Sequence, residues 1–262
     1  MVATRTESSF SLSSLLISDG PAGFLLSWVA GFVDTSAFII LFGLFTAHVT
    51  GNIALAGSSF VSSDEATTIT RLLMIPVFML SVAATSLLAR YARHQKWPVF
   101  AVLLTAEAVA LTVFLGVGIS LSPSLLLDVQ EDLIFPIGMA GVVSMAIQNA
   151  LMKEAKGVFK SYIPTTVMTG NTTQLTIDMV QFCCAKLSNS NAKVPNPEAE
   201  EALERISRVF PTILGFGLGG FAAAYLVLVS ETWWSLVLPL IVVLILAICA
   251  YLEHDGSSAK KP

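Results

Sequence analysis

The chain has 262 residues, 55% of them hydrophobic and only 12% charged, with a mean hydropathy of +0.78. Soluble domains carry about 25% charged residues, so this chain has too little polar surface for a soluble fold. A net charge of −4 excludes the broad basic field that nucleic acid needs.

The charges are clumped in the N-terminal tail and at 64–71, 90–96, 153–160 and 186–208, with apolar runs between. In chain order, residues 1–20 are serine-rich and lack the charged-then-apolar order of a secretory leader. They read as a disordered tail. Residues 21–252 read as the membrane domain, and 253–262 as a C-terminal tail. A spanning helix needs about 20 apolar residues to cross a hydrocarbon core of about 30 Å. Six segments qualify: 22–45, 72–91, 98–120, 133–152, 211–230 and 233–252. Tyr91, Trp97, Phe210, Trp233, Trp234 and Tyr251 lie at their ends, as expected of aromatic residues at headgroup level. The stretch 186–208 reads as a polar loop.

Two further segments, 46–62 (TAHVTGNIALAGSSFVS) and 163–184 (IPTTVMTGNTTQLTIDMVQFCC), are apolar but interrupted by Thr, Asn and Gly. Irregular backbone at membrane depth must be covered by protein or line a water-filled cavity. Thr50-Gly51-Asn52 recurs as Thr169-Gly170-Asn171 at an offset of 119 residues. Each copy follows a spanning helix that carries a glycine, Gly31 or Gly141. Each precedes an arginine and a proline, Arg71 with Pro76 and Arg208 with Pro211. The chain therefore divides into two repeats, 21–120 and 131–252.

Lys and Arg favour the cytoplasmic side. The turn with Arg90, Arg93 and Lys96 is placed inside, the acidic loop 120–132 outside, and Lys153, Lys156 and Lys160 inside. The expected fold is all-α and polytopic: six spanning helices, two broken or re-entrant TGN segments, and inverted halves. If the TGN segments cross fully, the alternative is eight spanning helices with parallel halves.

The stretch AGFVDTSAFIILFGLFTAHVTGN, together with PTTVMTGNTTQL, resembles the YoaK-like family of small multi-pass membrane proteins, over about residues 22–252. The resemblance implies a polytopic membrane protein. It also suggests transport, without naming a substrate.

Several polar residues stand out against the apolar background. Asp34 lies inside a spanning run, where a charge costs about 2.5–3.5 kcal/mol on insertion scales and commonly marks an ion or proton path. Glu107 is a secondary candidate on the same argument. Asn171, Gln174 and Asp178 are spaced to share one helix face, whereas the first half has Ser59 at the position matching Asp178. His48 stands four residues before Asn52 and could titrate near neutral pH. Gly51 and Gly170 permit a break or a close helix approach, and Thr50 and Thr169 offer hydroxyls. A half-helix starting at mid-membrane would direct its positive end at an anion. The candidate substrate-binding set is therefore Asp34, His48, Thr50, Gly51, Asn52, Thr169, Gly170, Asn171, Gln174 and Asp178. No metal ligand spacing, catalytic set or cofactor motif is found among the three histidines and three cysteines. The expected partners are the bilayer and a small polar or anionic solute. The expected function is a secondary transporter or permease. The alternatives are a structural or assembly protein, or an intramembrane enzyme.

Overall fold

A computed structural model describes residues 12–61, 65–123, 131–155, 158, 164–188 and 196–258. All regular structure among them is helical: α1 (Leu12–Leu16), α2 (Asp19–Ile40), α3 (Val49–Val61), α4 (Glu65–His94), α5 (Val99–Leu121), α6 (Glu131–Glu154), α7 (Met168–Ser188), α8 (Pro197–Ser230) and α9 (Val237–Ser258), with a short 3-10 turn at Trp233–Leu236. Six helices among the described residues are long and apolar enough to cross a membrane: α2, α4, α5, α6, α8 and the run from Trp233 through α9. The chain is an integral, multi-pass membrane protein.

The first span is shorter than its apolar run. It ends at Ile40 rather than at 45, because Phe42 and Gly43 take positive φ values of 50° and 82° and turn the chain back. Gly43 adopts this conformation at no steric cost, whereas Phe42 is strained by it. With 13 residues and about 20 Å of rise, α3 is too short to cross.

The deepest packing joins α2 to α8, which run parallel. A Cβ on Gly31 would lie 2.1 Å from the Phe216 carbonyl oxygen; on Gly215 or Gly219 it would lie 2.3 or 2.1 Å from a carbonyl oxygen of α2. Glycine lets the two backbones touch, the usual way helices associate where lipid offers no hydrophobic drive. Similarly, α4 packs along α6 and α5 along α9. By contrast, α3 packs chiefly on α4, and α7 chiefly on α8. The start of α2, the α4–α5 turn and the ends of α6 and α9 gather at one face, here called the basic face for Arg90, Arg93, Lys96 and Lys153.

The structure corrects several expectations. The stretch 186–208 is largely helix: α7 runs to Ser188 and α8 begins at Pro197. Asn196 caps α8 by accepting the Glu198 N–H at 3.1 Å, Pro197 opens the first turn, and Glu198 and Glu200 complement the helix dipole. The pairs Glu201–Arg205 and Glu204–Arg208 add i,i+4 support. Second, residues 12–20 are not a disordered tail. They hold α1 and the start of α2, and the Ser13 hydroxyl donates to Glu253 on α9 at 2.6 Å; residues 1–11 lie outside the described set. The C-terminal tail likewise begins late, since α9 continues to Ser258. Third, Trp233 is not a headgroup anchor. It is buried, fills the gap at Gly118, and donates its indole N–H to the Ser122 carbonyl at 2.6 Å, while Trp234 stays exposed.

Candidate functional site

The polar residues picked out by sequence hold the two TGN segments in place. Asp34 sits about 15 residues along α2 and is 2% exposed. Its Oδ1 accepts the backbone N–H of Thr46 at 2.8 Å and of Ala47 at 2.7 Å, with the Thr46 hydroxyl at 3.3 Å. Its Oδ2 accepts from Nδ1 of His48 at 2.5 Å. One buried carboxylate thus gathers the tip of the 41–48 loop and the start of α3. The multiple N–H donors make its burial tolerable. His48 remains about one-third exposed (31%), wedged edge-on between Phe45 and Phe216.

Asn52 is fully buried and closes the same loop from below. Its Oδ1 accepts the Phe45 N–H at 2.9 Å and its Nδ2 donates to the Phe45 carbonyl at 2.7 Å. Gly51 makes room for the Phe45 ring, which would lie 2.8 Å from an added Cβ. Arg71 of α4 then ties the far end of α3, donating to the Ser59 hydroxyl and, at 2.9 Å, to the Phe42 carbonyl.

The second segment is held in the same way. Asn171 donates from Nδ2 to the Pro164 carbonyl at 2.6 Å, the same seven-residue reach as Asn52 to Phe45. Gln148 on α6 donates to the Leu26 carbonyl of α2 at 2.6 Å and to the Thr165 hydroxyl at 3.1 Å, while Thr166 donates to Asn149 Oδ1 at 2.5 Å. Asp178 is fully buried and pairs with Nε of Arg205 on α8 at 2.8 Å; Gln174 also donates to it at 3.1 Å. Asp178 lies 119 residues after Ser59, the offset between the two TGN motifs, and each meets an arginine from the helix its own helix packs on. Because Asp178 lies against α8 near its start, α7 runs from its deep tip back toward the basic face.

Three of the expected ligands take no part in these latches. Thr50, Thr169 and Gly170 are exposed or partly so, and neither threonine hydroxyl has a partner among the described residues. A Cβ added at Gly170 would meet only Val167, at 3.7 Å, so its packing does not require glycine as that of Gly51 does. Asn52 and Asn171 do not face one another, since each amide turns back onto its own loop. The two loop tips touch α2 at Asp34 and at Leu26, eight residues apart and about 12 Å of helix rise. Glu107 is fully buried on α5, and neither carboxyl oxygen has a partner among the described residues. The Ser27 hydroxyl and Gln148 Oε1 are buried without partners as well.

Sequence reading missed Arg71 and Arg205 as anchors because their spacing from the two TGN motifs differs. It also missed the loop residues Thr46, Thr165 and Thr166. The signal for these was present: the 119-residue offset extends backwards from TGN to pair Thr46 with Thr165.

The Asn clamps predict unequal losses. Asn52→Ala strands the part-buried N–H and carbonyl of Phe45, and is expected to cost about 1–3 kcal/mol. Asn171→Ala frees one carbonyl and should cost about 1–2 kcal/mol. Unfolding in mixed micelles reads both; an Asn52→Ala variant as stable as wild type would remove the clamp.

These features define a class: a polytopic helical membrane protein in which two TGN helices, α3 and α7, are pinned to the bundle by buried polar side chains. Residues 22–249 match the family described as "Protein of unknown function (DUF1275)", and the chain belongs to that family. No curated protein and no solved structure matches it.

Proposed function

We propose that the chain is a small secondary permease for a small polar or anionic solute, with its site between the tips of α3 and α7. The observation that carries this reading is the pair of TGN helices, each latched near its start to the bundle by a buried polar side chain. Discontinuous helices near the midplane are the usual site architecture of secondary transporters, because half-helix N-termini present N–H groups and positive dipole ends. The Asp34–His48 pair supplies a hydrogen-bonded titratable couple at depth for a coupling proton or cation. Within this reading the halves are inverted repeats of three crossings each, with the basic face cytoplasmic. The narrower likeness to YoaK-like proteins is part of the same reading.

A second reading has its own support. Asp34, Asn52 and Asn171 spend their hydrogen bonds on backbone, as residues that only hold a scaffold would. Proteoliposome uptake across a panel of small polar and anionic solutes separates the two. Uptake of any one supports the permease; a folded, uptake-silent protein across the panel supports the scaffold, and chemical turnover without movement supports an intramembrane enzyme.

Topology has a direct test. In a background lacking Cys183, Cys184 and Cys249, single cysteines at 96, 190 and 258 are expected to label from one side and one at 123 from the other. Labelling of 190 and 258 from the side opposite to 96 would overturn the inverted arrangement.

A further inference from the structure

We infer that the basic face carries a site for the phosphate of an anionic phospholipid, separate from the half-helix tips and independent of the permease reading. A cavity of about 760 Å³ opens where the ends of α4, α6 and α9 meet the start of α5, with Ile17 beside it. Arg90, Arg93, Trp97, Glu154, Glu253 and His254 surround it.

Most of these charges are already engaged. Arg93 donates to the Glu154 carboxylate at 2.6 Å and to its carbonyl at 3.0 Å, and Glu253 accepts from Ser13 at 2.6 Å. Arg90 is different: it has no hydrogen bond or ion pair among the described residues. It stands three residues before Arg93, so the two guanidinium groups share a side of α4. An anion at the cavity mouth would give Arg90 a partner beside the Arg93–Glu154 pair. Guanidinium groups match phosphate oxygens geometrically.

The remaining walls decide between a free anion and a lipid. Phe100, Ala101 and Ala250 are buried apolar residues lining the cavity. A free phosphate has no use for that surface, whereas the glycerol and upper acyl carbons of a phospholipid do. Exposed Trp97 packs edge-on against Tyr91 at 5.6 Å between ring centres, as aromatic residues at headgroup level do. Basic pockets between membrane helices suit anionic headgroups.

The test uses the full chain in neutral detergent, titrated with short-chain phosphatidylglycerol, short-chain phosphatidylcholine or inorganic phosphate. Phosphatidylglycerol is expected to raise the melting temperature saturably, with neither of the others doing so. Arg90→Gln should keep the lipid-free melting temperature, because Arg90 is exposed, and weaken phosphatidylglycerol binding about fivefold. Native mass spectrometry of the same samples counts retained lipid if melting is too broad to read. Equal responses to the two lipids, or unaltered binding by Arg90→Gln, would overturn the site. A response to inorganic phosphate matching that to phosphatidylglycerol would overturn the lipid as its occupant.

Discussion

Alanine at both Gly215 and Gly219 is expected to leave little folded protein. Each new Cβ would meet backbone on α2, 2.3 Å from the Phe24 carbonyl oxygen and 2.1 Å from that of Trp28. A side chain in the way could rotate aside; a helix carbonyl cannot. Overpacking usually costs about 1–3 kcal/mol, and both sites fall at the upper end or beyond it. Their sum approaches the lower end of an ordinary stability of about 5–15 kcal/mol. The neighbouring Gly217 provides the control, because nothing lies within 4 Å of its added Cβ. Gly217→Ala should be neutral, or gain up to about 1 kcal/mol from helix propensity. Yield of monodisperse protein and unfolding in mixed micelles read all three. If the double variant melted within a few degrees of wild type, α2 and α8 would not touch as described.

Asp34 should separate fold from activity. Asp34→Ala leaves the buried N–H groups of Thr46 and Ala47 without an acceptor and removes the partner of His48. Breaking a buried, hydrogen-bonded charge in this way costs about 3–5 kcal/mol. Asp34→Asn keeps one oxygen for the two N–H groups but loses the charge and turns the His48 acceptor into an NH2 donor, which a neutral His48 can meet with Nδ1 as acceptor, so its cost should stay below about 2 kcal/mol. On the permease reading, both variants are expected to abolish any uptake found, since both remove the Asp34 charge assigned there to coupling. Wild-type uptake by a folded Asp34→Asn protein would remove Asp34 from coupling. An Asp34→Ala protein as stable as wild type would remove it from the latch.

The spanning helices were legible because crossing a bilayer imposes a length and an apolar composition on a continuous run, and neither depends on what the run packs against. Where helices ended was less legible. The first apolar run continues to Phe45, yet the helix stops at Ile40, because Asp34 pulls the Thr46 and Ala47 backbone down to itself. That bond joins residues twelve and thirteen positions apart, which no periodicity records. The start of α8 was readable from Asn196, Pro197 and the acidic first turn, but high polarity masked it.

Among the candidate residues, the sequence picked out the polar groups correctly as exceptional for their surroundings. Composition alone marks Asp34, Asn52, Asn171 and Asp178, since a polar group at depth must find a partner. It could not say which partner. Asn52 and Asn171 turn to their own loops, Asp178 to Arg205, and Glu107 to none among the described residues. Those outcomes depend on which helices lie adjacent, and adjacency here rests on glycines whose role appears only when two backbones meet.

The sequence by itself determined that this is a multi-pass membrane protein with two TGN segments unlike the other apolar runs, because water–lipid partition acts on each segment locally. Only the tertiary structure decided that these segments are pinned to the bundle by buried side chains, and that their asparagines close loops instead of facing one another. Hydrogen bonds at depth are satisfied by whichever group the fold brings within reach, and that choice is made between helices, not along them.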